Sequence, residues 1–148
     1  MIKIDFPEPQ FKTVTENGIS KIFDQYRKRW IVLTPEEWVR QNILGYLTLV
    51  MKYPGSLLAI EKEIKVGELK KRCDIVVYNN ELKPWMIVEC KEMGVKLDEH
   101  VVSQILRYHS SIPCEYLLIT NGSYSFGFQK ENEIFKEINA LPLFCDKH

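Results

Sequence analysis

The stretch LKKRCDIVVYNNELKPWMIVECK, residues 69–91, contains two apolar runs that predict neighbouring strands. The first strand is predicted over Leu69–Tyr78 and the second over residues 85–91, since both runs are rich in β-branched and aromatic residues. Asn79-Asn80 begins the connection between them and is typical of a turn. Strands joined by so short a connection are expected to pair antiparallel, as adjacent strands of one sheet.

Three charged residues interrupt or follow these apolar runs: Asp74, Glu89 and Lys91. Because strand side chains alternate between the two faces, Glu89 and Lys91 are expected to point the same way, about 7 Å apart. Asp74 is expected to approach Glu89 across the pair of strands. Two neighbouring carboxylates repel each other unless a cation lies between them, and Mg²⁺ (or Mn²⁺) suits such oxygen ligands.

A metal ion held in this way would polarise a phosphoryl oxygen and lower the pKa of a bound water. Lys91 would orient that water or offset the charge that develops in the transition state. The backbone carbonyl of Cys90 is predicted as a further metal ligand. The same pattern also fits a salt-bridged pair of exposed strand residues, because Asp and Glu-x-Lys combinations arise often by chance. Spacing by itself leaves both interpretations open.

The start of the chain is predicted to contain an arm and a β-hairpin. Residues 1–18 are polar and contain two prolines, so they are interpreted as an N-terminal arm. The remainder, residues 19–148, has the length of a single domain. Two β-like runs, residues 20–23 and 30–33, predict the hairpin.

A helix is predicted to follow. Thr34, Pro35 and Glu37 are typical of a helix N-terminus, because the Thr hydroxyl can accept from a free helix amide and the Glu can reach back to the cap. Apolar residues at helical spacing continue to about Lys52.

The remaining patterns complete an αβββαβ order, which indicates an α/β fold with a mixed central sheet. They predict a strand at Leu58–Val66, a helix over 98–109, a core strand over 115–120, a strand over 123–129 and a short helix near 132–139.

The composition limits the classes of function. Lys and Arg number 20, as do Asp and Glu, so the formal net charge is +0 and nucleic acid would have to be held by local basic patches. No apolar run approaches the ~20 residues that span a bilayer, and no signal peptide is recognised at the start of the sequence. The cysteines form no CxxC pair, so reduced thiols in a cytoplasmic protein are expected rather than a zinc site. They are Cys73, Cys90, Cys114 and Cys145.

Asp74 and Glu89-Cys90-Lys91, carried on a hairpin within this element order, resemble the motif of the PD-(D/E)XK nuclease superfamily. Cys73 stands where that motif usually has proline. The resemblance implies a restriction-endonuclease-like fold, with Asp74 and Glu89 as metal ligands and Lys91 as the catalytic lysine. An acidic residue of the first helix often joins the metal site in this superfamily. Glu37 is the candidate here, and a capping-box role for Glu37 fits the sequence at least as well.

Two further segments, residues 29–41 and 71–78, resemble the amino-terminal nuclease domain of type I restriction enzyme R subunits, in particular its short stand-alone form. In that family the helix after the Glu-x-Lys strand carries a Gln-x-x-x-Tyr motif, which Gln104 and Tyr108 match. Residues four apart lie on one helical face. The resemblance therefore implies that both side chains lie beside the site and help to place the DNA backbone.

The basic run Lys70-Lys71-Arg72 leads directly to Asp74. Basic side chains beside a metal centre can hold a phosphate, so Arg72 is a further candidate for DNA positioning. A solvated run of charges on an edge strand fits this segment equally well. No role is assigned to the histidines, because His100, His109 and His148 have no metal-ligand spacing.

The resemblance implies a Mg²⁺-dependent deoxyribonuclease that acts on DNA as an endonuclease. The sequence contains no Walker A motif, so cleavage would proceed without ATP or with a separate motor or specificity subunit as partner. The alternative is a catalytically weak or inactive nuclease-fold module that binds nucleic acid or a partner protein. The neutral charge favours that alternative, and the intact triad of Asp74, Glu89 and Lys91 argues against it.

Overall fold

The computed structural model describes residues 1–144, so Cys145, His148 and the end of the predicted 19–148 domain lie outside the described residues. This part of the chain forms a three-stranded sheet, a six-stranded sheet and two α-helices. The elements in chain order are β1 (Thr13–Glu16), β2 (Ile19–Asp24), β3 (Arg29–Val32), α1 (Pro35–Gly45), β4 (Leu58–Val66), β5 (Leu69–Tyr78), β6 (Pro84–Cys90), α2 (Glu99–His109), β7 (Tyr116–Thr120), β8 (Ser125–Glu131) and β9 (Ile134–Ile138). Each α-helix has 11 residues, well short of the roughly 20 that a membrane-spanning helix needs.

The six-stranded sheet has the order β4-β5-β6-β7-β8-β9 and is mixed, as predicted. Only β6 and β7 run parallel within it, and α2 supplies the crossover that a parallel pair requires. Ile75 and Val88 pack with α1 residues on one face, whereas Val76 and Ile87 pack with α2 on the other. This double cover explains the uninterrupted apolar runs in β5 and β6. The architecture fits the predicted restriction-endonuclease-like α/β fold.

The predicted N-cap of α1 is confirmed, whereas the Glu37 carboxylate pairs with Arg27, Arg40 and Gln41 instead of reaching back to the cap. Thr34 is the N-cap, and its hydroxyl oxygen accepts a hydrogen bond from Glu37 N at 3.0 Å. The helix was predicted to reach about Lys52. Its α-helical part ends at Gly45 and continues as a π-helical turn, Tyr46–Val50, in which Met51 N donates to Tyr46 O at 3.0 Å.

Two strands were missed because their turns were not recognised. The short helix predicted near 132–139 is wrong, since β9 occupies Ile134–Ile138 and pairs antiparallel with β8. The predicted arm over 1–18 contains β1, which adds a third strand to the predicted β2–β3 hairpin. Asn132 and Glu133 both have positive φ, 50° and 66°, and the turn before β2 is similar. Such two-residue turns match the twist of a hairpin.

We expect these two turns to respond in opposite directions to substitution. Gly18 has a φ of 76°, and a Cβ there would meet nothing within 4 Å, so Gly18→Ala should cost about 1 kcal/mol of unfolding free energy through the backbone alone. Glu133→Gly should instead stabilise by up to about 1 kcal/mol. Urea denaturation measures both variants. A stabilising Gly18→Ala would contradict the turn assignment.

Candidate functional site

An open cavity of about 430 Å³ lies where β5, β6 and α2 meet. Its lining residues are Arg72, Asp74, Glu89, Lys91, Gln104, Ile105, Tyr108 and His109. These include the three predicted catalytic residues and the three predicted DNA-positioning residues. The structure therefore brings that set together in one place, while the role of each residue stays a prediction.

Asp74 and Glu89 face each other across the β5–β6 pair. Ile75 pairs with Val88, and the next position along the antiparallel register sets Asp74 opposite Glu89. The Asp74 carboxylate takes the place of a backbone acceptor there, because its Oδ2 accepts from Cys90 N at 2.7 Å. Burial raises the pKa of Asp74 to about 6, and the negative charge of Glu89 adds to this effect. An added cation at this point would relieve both effects.

Glu89 contacts a different residue with each carboxylate oxygen. Its Oε1 lies 3.7 Å from Lys91 Nζ, and its Oε2 lies 3.3 Å from His109 Nε2. The strand was predicted to reach Lys91, but β6 ends at Cys90, so Lys91 lies just beyond it; its backbone N still donates to Thr120 O at 2.9 Å. The Lys91 side chain is 36% exposed. The backbone of Lys91 is thus held in place, while its side-chain ammonium is open to a substrate in the cavity.

Tyr108 joins α2 to β5. Its hydroxyl oxygen accepts from Arg72 N at 3.0 Å, and Lys71 Nζ lies 4.3 Å from the centre of its ring. The Arg72 side chain is 68% exposed and pairs with Glu61 at 3.1 Å. Lys71 therefore has a packing role, while Arg72 remains accessible at the rim of the cavity.

A network of ion pairs around Arg40, a buried residue of α1, contacts Asp74 of the candidate site. Arg40 is only 5% exposed, and its Nη1 donates to Glu37 Oε1 and to Glu61 Oε1, both at 2.9 Å. Its Nη2 lies 3.3 Å from Asp74 Oδ1. The positive charge of Arg40 lowers the pKa of Asp74 and so opposes the effect of burial. Arg40 thus links α1 and β4 directly to the candidate site.

Glu37 takes part in this network, and its predicted metal role has no direct support. Its Oε2 accepts from Arg27 Nη2 at 2.9 Å and from Gln41 Nε2 at 3.1 Å, while Oε1 is held by Arg40. The first-turn acid whose charge raises the pKa of Asp74 is Glu36. The sequence could not separate these two neighbours, because the choice depends on how α1 is rotated against the sheet.

Three residues of the site were missed from the sequence: Arg40, Glu61 and His109. Glu61 lies opposite Asp74 in β4 with a φ of 52°, a strained backbone for a residue that is not glycine. Its only sequence signal was the break in alternation near Lys62. Arg40 follows Glu37 by one helical turn, and His109 directly follows Tyr108. Neither signal is specific without the fold.

The donor set fits a hard divalent cation that keeps much of its water. Within residues 1–144, no group of three His, Cys, Asp or Glu side chains forms a ready metal cluster. Asp74 and Glu89 supply two carboxylates, so other ligands would come from a backbone carbonyl such as that of Cys90, from water or from substrate. Mg²⁺ binds in this way, through one or two carboxylates and several waters.

Comparison with known families agrees with the resemblance found in the sequence. A family model described as type I restriction enzyme R protein N terminus matches residues 35–142. The match runs from the start of α1 to beyond β9 and includes every residue that lines the cavity. The chain belongs to this family. A search of curated proteins found no match.

Proposed function

We propose that this chain is a divalent-metal-dependent endonuclease of the PD-(D/E)XK type that hydrolyses phosphodiester bonds in DNA. The observation that supports the proposal is the cavity, which Asp74, Glu89 and Lys91 line together with Gln104 and Tyr108. If Glu89 and Lys91 were only a salt-bridged pair of exposed strand residues, the other predicted site residues would not need to line the same cavity. Membership of the R-protein family adds support for DNA as the substrate.

Each residue of the triad has a distinct task under this proposal. Asp74 and Glu89, with the Cys90 carbonyl, would hold Mg²⁺ or Mn²⁺. The bound ion would supply Lewis acidity and a water of lowered pKa. Lys91 would place its ammonium against the phosphate, where it offsets negative charge in the transition state. Its partial exposure leaves Nζ within reach of a substrate in the cavity.

DNA would be held by local contacts rather than by the electrostatic field of the whole protein. The formal net charge is +0, so long-range steering contributes little. Arg72, Gln104 and Tyr108 line the cavity and are exposed, and they would contact phosphates there. A separate motor or specificity subunit is proposed as a protein partner, in keeping with the family.

The direct test is cleavage of supercoiled plasmid and of linear DNA with Mg²⁺ or Mn²⁺, beside samples containing EDTA. Metal-dependent conversion of supercoiled plasmid to nicked or linear forms is expected, because a closed circle has no end for an exonuclease. Retention of DNA in a gel shift without cleavage would favour the alternative of a nuclease-fold binding module. Cleavage that persists in EDTA would contradict the metal requirement.

The metal assignment predicts that Asp74→Asn weakens Mn²⁺ binding by at least about 100-fold. Substitution of a residue that only orients a metal ligand already lowers metal affinity 10–100-fold, and the loss of a direct ligand should cost at least as much. Isothermal titration without DNA measures this directly. Asp98→Asn is the matched control, because Asp98 caps α2 through Val101 N at 2.9 Å and Asn caps a helix equally well. Undiminished Mn²⁺ binding by Asp74→Asn would contradict the assignment of Asp74 as a metal ligand.

A further inference from the structure

His109, the last residue of α2, lies inside the cavity wall in contact with Glu89. Its side chain is 1% exposed, and its Nε2 lies 3.3 Å from Glu89 Oε2. The neighbouring Tyr108 ring is perpendicular to the imidazole, with ring centres 4.9 Å apart. Within residues 1–144, the buried Nδ1 has no hydrogen-bond partner. The imidazole therefore has a single polar contact, and that contact is with a proposed metal ligand.

The unpartnered Nδ1 decides where the ring carries its proton. A proton on Nδ1 alone would be a buried donor without an acceptor, and it would leave the bare Nε2 lone pair facing the Glu89 carboxylate oxygen. The proton is therefore on Nε2, where it is donated to Glu89 Oε2. This arrangement leaves Glu89 Oε1 on the side of Lys91, 3.7 Å from Nζ.

We propose that His109 is a positioning residue that holds Glu89 in the orientation required for a divalent cation. The proposal rests on the metal-dependent function proposed above. A rigid helix end, a buried ring and one hydrogen bond confine the carboxylate, so less side-chain freedom is lost when an ion binds. Substitution of a residue that orients a metal ligand through a hydrogen bond typically lowers metal affinity by 10–100-fold. If the ring only filled space, an apolar side chain of similar size would serve equally well.

The test compares His109→Leu with His109→Gln, using Mn²⁺ as the titrant and no DNA. Leu fills the space but cannot donate, whereas the Gln amide nitrogen can donate to Glu89. His109→Leu is expected to bind Mn²⁺ about 10- to 100-fold more weakly, and His109→Gln to recover most of that loss. His100→Leu, an exposed position at the start of the same helix, is the control and should bind as the wild type does.

Equal affinities in His109→Leu and the wild type would overturn the proposal, as would equal losses in the Leu and Gln variants. The wild-type protein offers a second measurement in case a variant fails to fold. Long-range ¹⁵N–¹H correlation of the metal-free protein should show a proton on His109 Nε2. A bare Nε2 would overturn the proposal without any substitution.

These outcomes separate the inference from the proposed function. Wild-type protein that binds Mn²⁺ in a His109-dependent way but cuts no DNA would leave the positioning role standing and remove the nuclease activity. Wild-type protein that binds no Mn²⁺ would remove both. Equal Mn²⁺ affinities of the wild type and His109→Leu would remove only the role of His109.

Discussion

Lys91→Ala should slow plasmid cleavage by at least about 100-fold while the protein remains folded. Removal of one group that stabilises charge in a transition state commonly costs 10²–10³ in kcat, and we propose that the Lys91 ammonium is such a group. The side chain is 36% exposed and its known contact is Glu89 at 3.7 Å, so the substitution opens no core cavity. The measurement is the single-turnover nicking rate at saturating Mg²⁺.

Lys83→Ala is the matched control for this variant. Lys83 lies in the β5–β6 connection, its side chain is 74% exposed, and it pairs with Glu81 at 3.9 Å. It should cut at the wild-type rate. Lys91→Ala should also bind Mn²⁺ at least as tightly as the wild type, because the ammonium that it removes has a charge of the same sign as the ion. Equal cleavage by Lys91→Ala and the wild type would point to a contaminant or to another site.

The strands that carry Asp74 and Glu89 could be predicted because their signals are local. An apolar run covered on both faces, a turn and a second apolar run define β5 and β6 without reference to the rest of the chain. The cap at Thr34 is local in the same sense, since its donor is only three residues away. These signals were sufficient to place the acidic pair on adjacent strands and Lys91 beside Glu89.

The parts that could not be predicted depend on long-range placement or on unusual turns. Arg40 and Asp74 are 34 positions apart, so nothing near Arg40 in the sequence indicates that it contacts the site. His109 was set aside because it lacked metal-ligand spacing, whereas its side chain contacts Glu89. β9 was mistaken for a helix because Glu133 is an unusual residue for a turn with positive φ.

Arg40→Met should lower the unfolding free energy by about 3–5 kcal/mol in the metal-free protein at neutral pH. Removing one partner of a buried ion pair leaves the other charge uncompensated, and such changes cost this much. Met keeps most of the volume, so the loss is electrostatic. The substitution withdraws the guanidinium from Glu37, Glu61 and Asp74 together. Urea denaturation measures the difference.

Arg72→Met is the control for stability, because it shares the partner Glu61 but its side chain is 68% exposed. Exposed pairs contribute about 0–1 kcal/mol, so this variant should stay close to the wild type. A deficit in Arg40→Met no larger than that of Arg72→Met would mean that the network around Arg40 contributes little to stability.

The pH dependence of the Arg40→Met deficit identifies its cause. Without Arg40, the pKa of Asp74 should rise above its already raised value of about 6, because the guanidinium is a cause that lowers it. A carboxyl whose pKa is higher in the folded than in the unfolded state destabilises the fold when ionised, and this effect fades as pH falls. The deficit relative to the wild type should therefore shrink as the pH is lowered from about 7 to about 5. A deficit that stays constant over this interval would show that an uncompensated Asp74 charge is not what destabilises the variant.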